Sequence, residues 1–315
     1  MTIAILGTGL AAELHTKTLR AVAPRVRRMY ASRDGSRAAA LTARLGGAGH
    51  FASYEAAVAS AEVDAVLIAI PPAAHLEWTL RALAAGKHVI VEKPPFLRET
   101  DFDAVESAAA AAGRQVLVAE NYFYKPLAGL LREIVTGREL GDIRFIHLNA
   151  VKQQPTSGWR DDAALAGGGA LFEGGIHWVS LLANIGLTPI RARAALPGPR
   201  PDRNAVVTIE YGEGAVASLF YSWDLRGLIN GVRFSRIYGT EGSVYFETNG
   251  IVLMATGRRP RLAMRGLSDL AGYRGMMTDF LQSIRENRAP AYDLARARRD
   301  LRLIEEAYAT AALKR

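Results

Sequence analysis

The sequence predicts two domains: an N-terminal α/β domain on a doubly wound parallel sheet, then an α+β domain on a mostly antiparallel open sheet. Three observations carry this. At 315 residues the chain is too long for one ordinary core. From residue 2 to about 119, short apolar runs alternate with amphipathic helical stretches, the grammar of strand–helix–strand units. Beyond about residue 128, strand-like segments follow one another directly, separated by glycine turns.

In the first domain, residues 2–6 read as a buried strand that runs into Gly7-Thr8-Gly9, followed by a helix that ends ahead of Pro24. Strands at 26–31, 64–70 and 88–91 each precede a helix, and 116–119 completes the sheet. The alanine tract 108–112 reads as helix, because alanine is the strongest helix former. The boundary falls after Ala119, giving domains 1–119 and 120–315. In the second domain, strands are predicted at 143–151, 205–211, 215–223, 232–238 and 243–248, with turns at 212–214, 227–231 and 239–242. Helices are predicted at 171–184, 272–286 and 294–313, with the option that the last packs back on the first domain.

Composition narrows the function classes. Half the residues are hydrophobic and 22% are charged, the balance of a globular protein. No apolar run approaches the roughly 18 residues of a membrane span, and residues 2–6 have no basic leader before them. The expected location is cytoplasmic, with no membrane partner. The absence of cysteine excludes disulfides, thiolate metal sites and a cysteine nucleophile. The net charge of +8 rests on arginines scattered over helix faces, with no basic block interleaved with aromatics, so no nucleic-acid partner is expected.

Gly7-Thr8-Gly9-Leu10-Ala11-Ala12 sits between the first strand and first helix. It fits a dinucleotide loop with alanine in the last glycine place. The first glycine permits the tight turn, the second lets pyrophosphate approach the backbone, and the helix N-terminus offers unpaired N–H donors. At the end of the second strand stand Ala31-Ser32-Arg33-Asp34. A hydroxyl and a guanidinium there suit the 2′-phosphate of NADP(H), the preferred cofactor, with NAD(H) the alternative. Asp34 comes one step late and can serve as a helix cap.

Further segments, taken with this loop, resemble the glucose-fructose oxidoreductase, inositol dehydrogenase and rhizopine-catabolism family over nearly the whole chain. They are Ile70-Pro71-Pro72-Ala73-Ala74-His75, Glu92-Lys93-Pro94, Trp159-Arg160, the stretch from Gly167-Gly168-Gly169 to His177, and the helix ending Ala307-Tyr308-Ala309-Thr310-Ala311. The resemblance implies a Rossmann domain and makes Lys93 and His177 the catalytic pair. Cofactor contacts are expected from Gly7, Thr8, Gly9, Leu10, Ala11, Ser32, Arg33, Pro71, His75, Glu92, Lys93 and Asn121, and no metal is expected, because His15, His50, His75, His88 and His147 show no paired ligand spacing. Substrate contacts are expected from Glu173, Tyr122, Trp159 and Arg160.

The chemistry is consistent with that reading. A lysine at the carboxyl edge of a parallel sheet can hold a reacting oxygen, and an imidazole near neutrality can relay its proton. Glu173 and His177, four apart on one helix, are expected on one face. Two positions depart from the family: Glu173 stands for the usual aspartate, and Ser180 for an aspartate that often follows the histidine. Tyr122 is a reserve acid, and the glycine-rich loop is expected to close over substrate.

The expected activity is hydride transfer between nicotinamide C4 and a carbinol or carbonyl carbon of a sugar, cyclitol or related polyol, in a cleft walled by Lys93, Tyr122, Glu173 and His177. Alternatives are a biosynthetic carbonyl or imine reductase, transient oxidation during glycoside cleavage, and a nonenzymatic dinucleotide-binding sensor. An open sheet face bearing Phe220, Tyr221, Trp223, Phe234 and Tyr238 predicts a homo-oligomer.

Overall fold

Five consecutive buried residues open the chain as strand β1 (Thr2–Leu6), parallel to β2 (Arg27–Ala31) on one side and β4 (Ala65–Ile68) on the other. A run buried on both faces needs helices above and below it, hence the alternation. The computed structural model describes residues 1–227, 229, 231–264 and 269–312. Leu228 and Asn230 of the turn expected at 227–231, and the end of the last helix beyond residue 312, lie outside the described residues.

The chain forms two compact units, the first of Met1–Glu120 with Tyr273–Arg298, the second of Asn121–Gly272 with the chain from Arg299 onward. With β3 (Gly49–Phe51), β5 (His88–Val91) and β6 (Val116–Val118), the first unit's sheet has the order β3-β2-β1-β4-β5-β6 and is parallel throughout. The order reverses between β1 and β4, the place where such sheets bind ligands at their carboxyl ends. The helix Tyr273–Glu286 lies against the helix Leu10–Val22 and buries Met276, Met277 and Phe280. This segment therefore groups with the first unit, and a single cut after residue 119 does not describe the chain.

The second unit holds β7 (Ile143–Val151), β8 (Pro189–Ala195), β9 (Asn204–Tyr211), β10 (Val216–Ser222), β11 (Phe234–Gly239), β12 (Ser243–Glu247), β13 (Val252–Ala255) and β14 (Arg261–Met264). Their order is β14-β13-β12-β11-β7-β10-β9-β8, antiparallel except for the parallel pair β7 and β10. Burial alternates along β9 and β10, so one face is covered and the other open. The open face carries Phe145, Phe220, Phe234, Met254, Leu262 and Met264, all exposed. Tyr221 and Trp223, expected on that face, are buried. Neighbouring residues of a strand point to opposite faces, so Phe220 and Tyr221 cannot share one.

Among the described residues no helix is long and apolar enough to cross a membrane.

Candidate active site

The dinucleotide half of the site is built at the carboxyl edge of the first unit's sheet. Gly7 has φ +108°, its amide donates to the Ala31 carbonyl at 3.0 Å, and an added Cβ would stand 2.2 Å from the Ala69 carbonyl oxygen. No other residue fits there. Gly9, the N-cap of the helix Leu10–Val22, has nothing within 4 Å of the Cβ position and no side-chain cap. That helix end thus presents bare donors at an open approach, with Thr8 and Ala11 partly exposed and Leu10 exposed. Ala12, in the last glycine place, is fully buried and lets the helix sit close on the sheet. These features fit a dinucleotide pyrophosphate.

At the end of β2, the Asp34 carboxylate is engaged locally. Its Oδ1 accepts from the Ser36 amide at 3.0 Å and the Ser36 hydroxyl at 2.6 Å, capping the helix Gly35–Leu45, and its Oδ2 lies 3.6 Å from Arg37. Ser32 is buried and its hydroxyl accepts from the Asp34 amide at 3.3 Å, whereas Arg33 is exposed.

After β4, Pro71 starts a single 3-10 turn and His75 begins the helix that follows. The His75 ring is fully buried, its Nδ1 2.9 Å from the Pro94 carbonyl and its Nε2 2.8 Å from that of Ile70. This removes the ring from the expected cofactor contacts: it pins the loop after β5, and burial holds its pKa below the ordinary value.

Glu92 and Lys93 follow β5 directly, both partly buried. One Glu92 oxygen lies 2.6 Å from Nε2 of His15, a residue the sequence reading passed over, and the other accepts from the Lys93 amide at 3.1 Å. Burial opposes ionisation of Glu92, but the His15 hydrogen bond and charge, with Lys93, outweigh it and bring the carboxyl down to about 2.

The residues expected to carry acid–base chemistry, Tyr122 and His177, belong to the second unit. Helical structure begins at Leu171, but residues Leu171–Gly175 form a wider π-helical turn before the α-helix Ile176–Ala183. Such turns recur at functional sites, and this one carries Glu173. His177 is half-buried and stacks on Tyr122, with ring centroids 4.3 Å apart and planes 13° apart. The Lys125 ammonium sits 4.3 Å over the Tyr122 ring, and Trp178 meets that ring edge-on at 4.8 Å. Asn121 is buried and its amide donates to the Ala271 carbonyl at 2.6 Å.

Glu173 is buried and accepts from Nε of Arg160 at 3.2 Å, while the Arg160 guanidinium lies 4.4 Å over Trp159. Trp159 and Arg160 sit in the 3-10 turn Gly158–Asp161. Tyr221 faces the same network from β10, and burial, then the nearby Glu173, holds its phenol protonated well above the usual range.

Gly168 and Gly169 are required by packing. A Cβ on Gly168 would meet Phe172 at 2.7 Å, and one on Gly169 would meet Oδ1 of Asp202 at 2.1 Å. The expectation of a loop free to close gives way to one held from Asp202. That carboxylate accepts from the Leu171 amide at 2.9 Å and the Tyr308 hydroxyl at 2.8 Å, and Tyr308 accepts from the Phe172 amide at 3.1 Å. Ser180 is fully buried, and its hydroxyl oxygen accepts from the Asn184 side-chain amide at 3.4 Å, so this departure from the family pattern lies in the core.

Two family models match the chain in sequence: an oxidoreductase family with an NAD-binding Rossmann fold over residues 1–120, and the GFO/IDH/MocA C-terminal domain over residues 130–245. The chain belongs to the Gfo/Idh/MocA family. Among its relatives is the D-xylose 1-dehydrogenase (NADP(+)) 2 of Haloferax volcanii, 33% identical over 62% of this chain and 61% of that protein. The levoglucosan dehydrogenase of Pseudarthrobacter phenanthrenivorans is 26% identical over 80% of this chain and 71% of that one. A levoglucosan dehydrogenase solved with NADH and levoglucosan superposes with a TM-score of 0.88 at 21% identity, covering 100% and 98% of the two chains, a likeness of fold. The matches to the first four curated relatives span 44–65% of those proteins' lengths.

Among Gfo/Idh/MocA features, the dinucleotide loop and the Glu92-Lys93-Pro94 segment lie together at one sheet edge, and Tyr122 lies with His177 in the other unit. The residues that sequence reasoning missed are those reached through space: His15, Asp202, Lys125 and Tyr221. Only Tyr221 left a usable signal, the alternation of β10 that sends it to the covered face.

Proposed function

We propose that this Gfo/Idh/MocA member is a dehydrogenase or reductase that prefers NADP(H) and acts on a carbinol or carbonyl carbon of a sugar, cyclitol or related polyol. The nicotinamide dinucleotide, when bound, supplies the hydride chemistry at its C4 carbon. The chain's residues bind, orient and move protons. The Lys93 ammonium holds the reacting oxygen and stabilises its developing negative charge. His177 takes the hydroxyl proton on oxidation and returns it on reduction, with Tyr122 stacked against its ring. Arg160 and Trp159, tied to Glu173, contribute to binding the substrate's hydroxyls.

The observation that carries this reading is the pairing, in one chain, of an open-ended dinucleotide helix beside Lys93 with an imidazole stacked on a phenol. Support for the 2′-phosphate preference is that Asp34 is spent as a helix cap, while exposed Arg33 follows buried Ser32. An acidic residue accepting a ribose hydroxyl would favour NAD(H) instead.

The open face of the eight-stranded sheet is proposed to bind a second copy of this chain. Support comes from the exposed Phe145, Phe220 and Phe234, large apolar side chains on three adjacent strands of one face.

The test is titration with NADPH and NADH, followed by absorbance at the reduced-nicotinamide band with a panel of sugars, cyclitols and their keto forms. NADPH is expected to bind more tightly, and at least one polyhydroxy compound to turn over. Tight binding with no turnover across the panel would overturn the dehydrogenase reading, and no dinucleotide binding would overturn both.

A further inference from the structure

His15 lies a turn and a half into the helix Leu10–Val22 and is fully buried. Its Nδ1 has no hydrogen-bond partner among the described residues, and the ring meets Tyr273 edge to face with centroids 5.8 Å apart. An apolar side chain would fill this space without leaving a polar nitrogen unsatisfied, so the imidazole is a costly occupant. Among the described residues its one directional polar contact is the 2.6 Å hydrogen bond from Nε2 to Glu92. The Glu92 carboxylate is ionised and only accepts, so Nε2 carries the hydrogen. The second Glu92 oxygen accepts the Lys93 amide at 3.1 Å. A chain of two hydrogen bonds therefore runs from the helix behind the dinucleotide loop to the backbone of Lys93.

We propose that His15 is a positioning residue for Lys93, holding the Glu92 carboxylate so that the lysine's backbone is set from the same helix that receives the dinucleotide. The cost of burying the imidazole is then the cost of fixing the lysine against the cofactor loop. This rests on the reading of Lys93 as catalytic.

The experiment compares the full chain with His15→Ala, His15→Gln, His15→Asn and Lys93→Ala. Glutamine places an amide nitrogen close to where the imidazole Nε2 lies and restores the contact, whereas asparagine is one methylene too short. Hydrogen exchange of the Lys93 amide, followed by NMR, is expected to be about tenfold faster in His15→Ala and His15→Asn and within about threefold of wild type in His15→Gln. With NADP(H) and whichever panel sugar the wild type turns over, kcat is expected to fall about tenfold in His15→Ala and recover in His15→Gln. Sugar KM and NADPH Kd should stay within about threefold, the signature of a group that acts on chemistry through another residue.

Unchanged Lys93 exchange in His15→Ala overturns the proposal, as does an inert Lys93→Ala beside a fully active His15→Ala. If His15→Ala does not fold, asparagine behaving like glutamine overturns it. If Lys93→Ala keeps full turnover, or the wild type turns over nothing, the functional reading fails and the exchange rates still decide the positioning.

Discussion

Asp202 is the joint that holds the helical segment carrying Glu173 and His177, and its removal makes a quantitative test. Truncation in Asp202→Ala strips two hydrogen bonds from one buried carboxylate, those donated by the Leu171 amide and the Tyr308 hydroxyl. Hydrogen bonds to a charged group contribute about 1.5–3 kcal/mol each, and both abandoned donors are left with a desolvation penalty. Water entering the vacated space recovers part of this, so the expected loss is about 3 kcal/mol. The Asp202 main-chain carbonyl accepts the Ala170 amide at 2.7 Å, a bond the truncation does not remove. Tyr308→Phe removes one of the two carboxylate bonds and also the acceptor of the Phe172 amide, and should cost about 2–3 kcal/mol. Because that bond is shared, the double variant should cost less than the sum by about 1 kcal/mol.

The assay is urea unfolding read by tryptophan fluorescence. Trp159, Trp178 and Trp223 lie in the second unit and Trp78 in the first, so a Trp78→Phe background isolates the affected unit. Turnover should fall with stability, since the helical segment capped by Asp202 carries Glu173 and His177. A loss below about 1 kcal/mol in Asp202→Ala, or strict additivity with Tyr308→Phe, refutes the reasoning.

Other consequences are open to measurement. Arg33→Ala should weaken NADPH binding about tenfold and leave NADH binding within about threefold, checked by fluorescence titration. His177→Ala should lower kcat by about 100-fold or more while NADPH affinity changes little, in single-turnover assays on the best panel sugar. Glu92, brought from 4.5 down to about 2, contributes stability that is fully present above about pH 4.5 and drains away as pH falls toward 2. The stability gap between wild type and Glu92→Gln should accordingly shrink across that window in acid-unfolding curves. Phe145→Glu with Phe220→Glu should convert an oligomer to a monomer in light scattering, and a wild type already monomeric would remove the proposed contact.

The parts of this molecule legible in its sequence are those whose cause is local. β1, β4 and β5 announce themselves because a strand covered on both faces must be apolar throughout. β8 and β14 do not: β8 begins at Pro189 and carries Arg191 and Arg193, β14 begins at Arg261, and both are edge strands with little to bury on one face. β3 is only three residues long, and its Gly49-His50-Phe51 gives no period to read. The same division holds at the site. Gly7, Gly9, Lys93 and His177 could be singled out because each lies in a contiguous motif. The groups that set their surroundings arrive from far along the chain: Glu92 meets His15 across 77 residues, Asp202 reaches Leu171 across 31 and Tyr308 reaches Asp202 across 106. None of these pairs leaves a spacing that a short-range pattern can register. The candidate site residues are thus written in short segments, whereas the charge and geometry around them are fixed only when the sheets and helices bring distant segments together. A motif match on its own therefore singles out candidate side chains and leaves undetermined what holds them, and His15 and Asp202 are the positions where that difference can be measured.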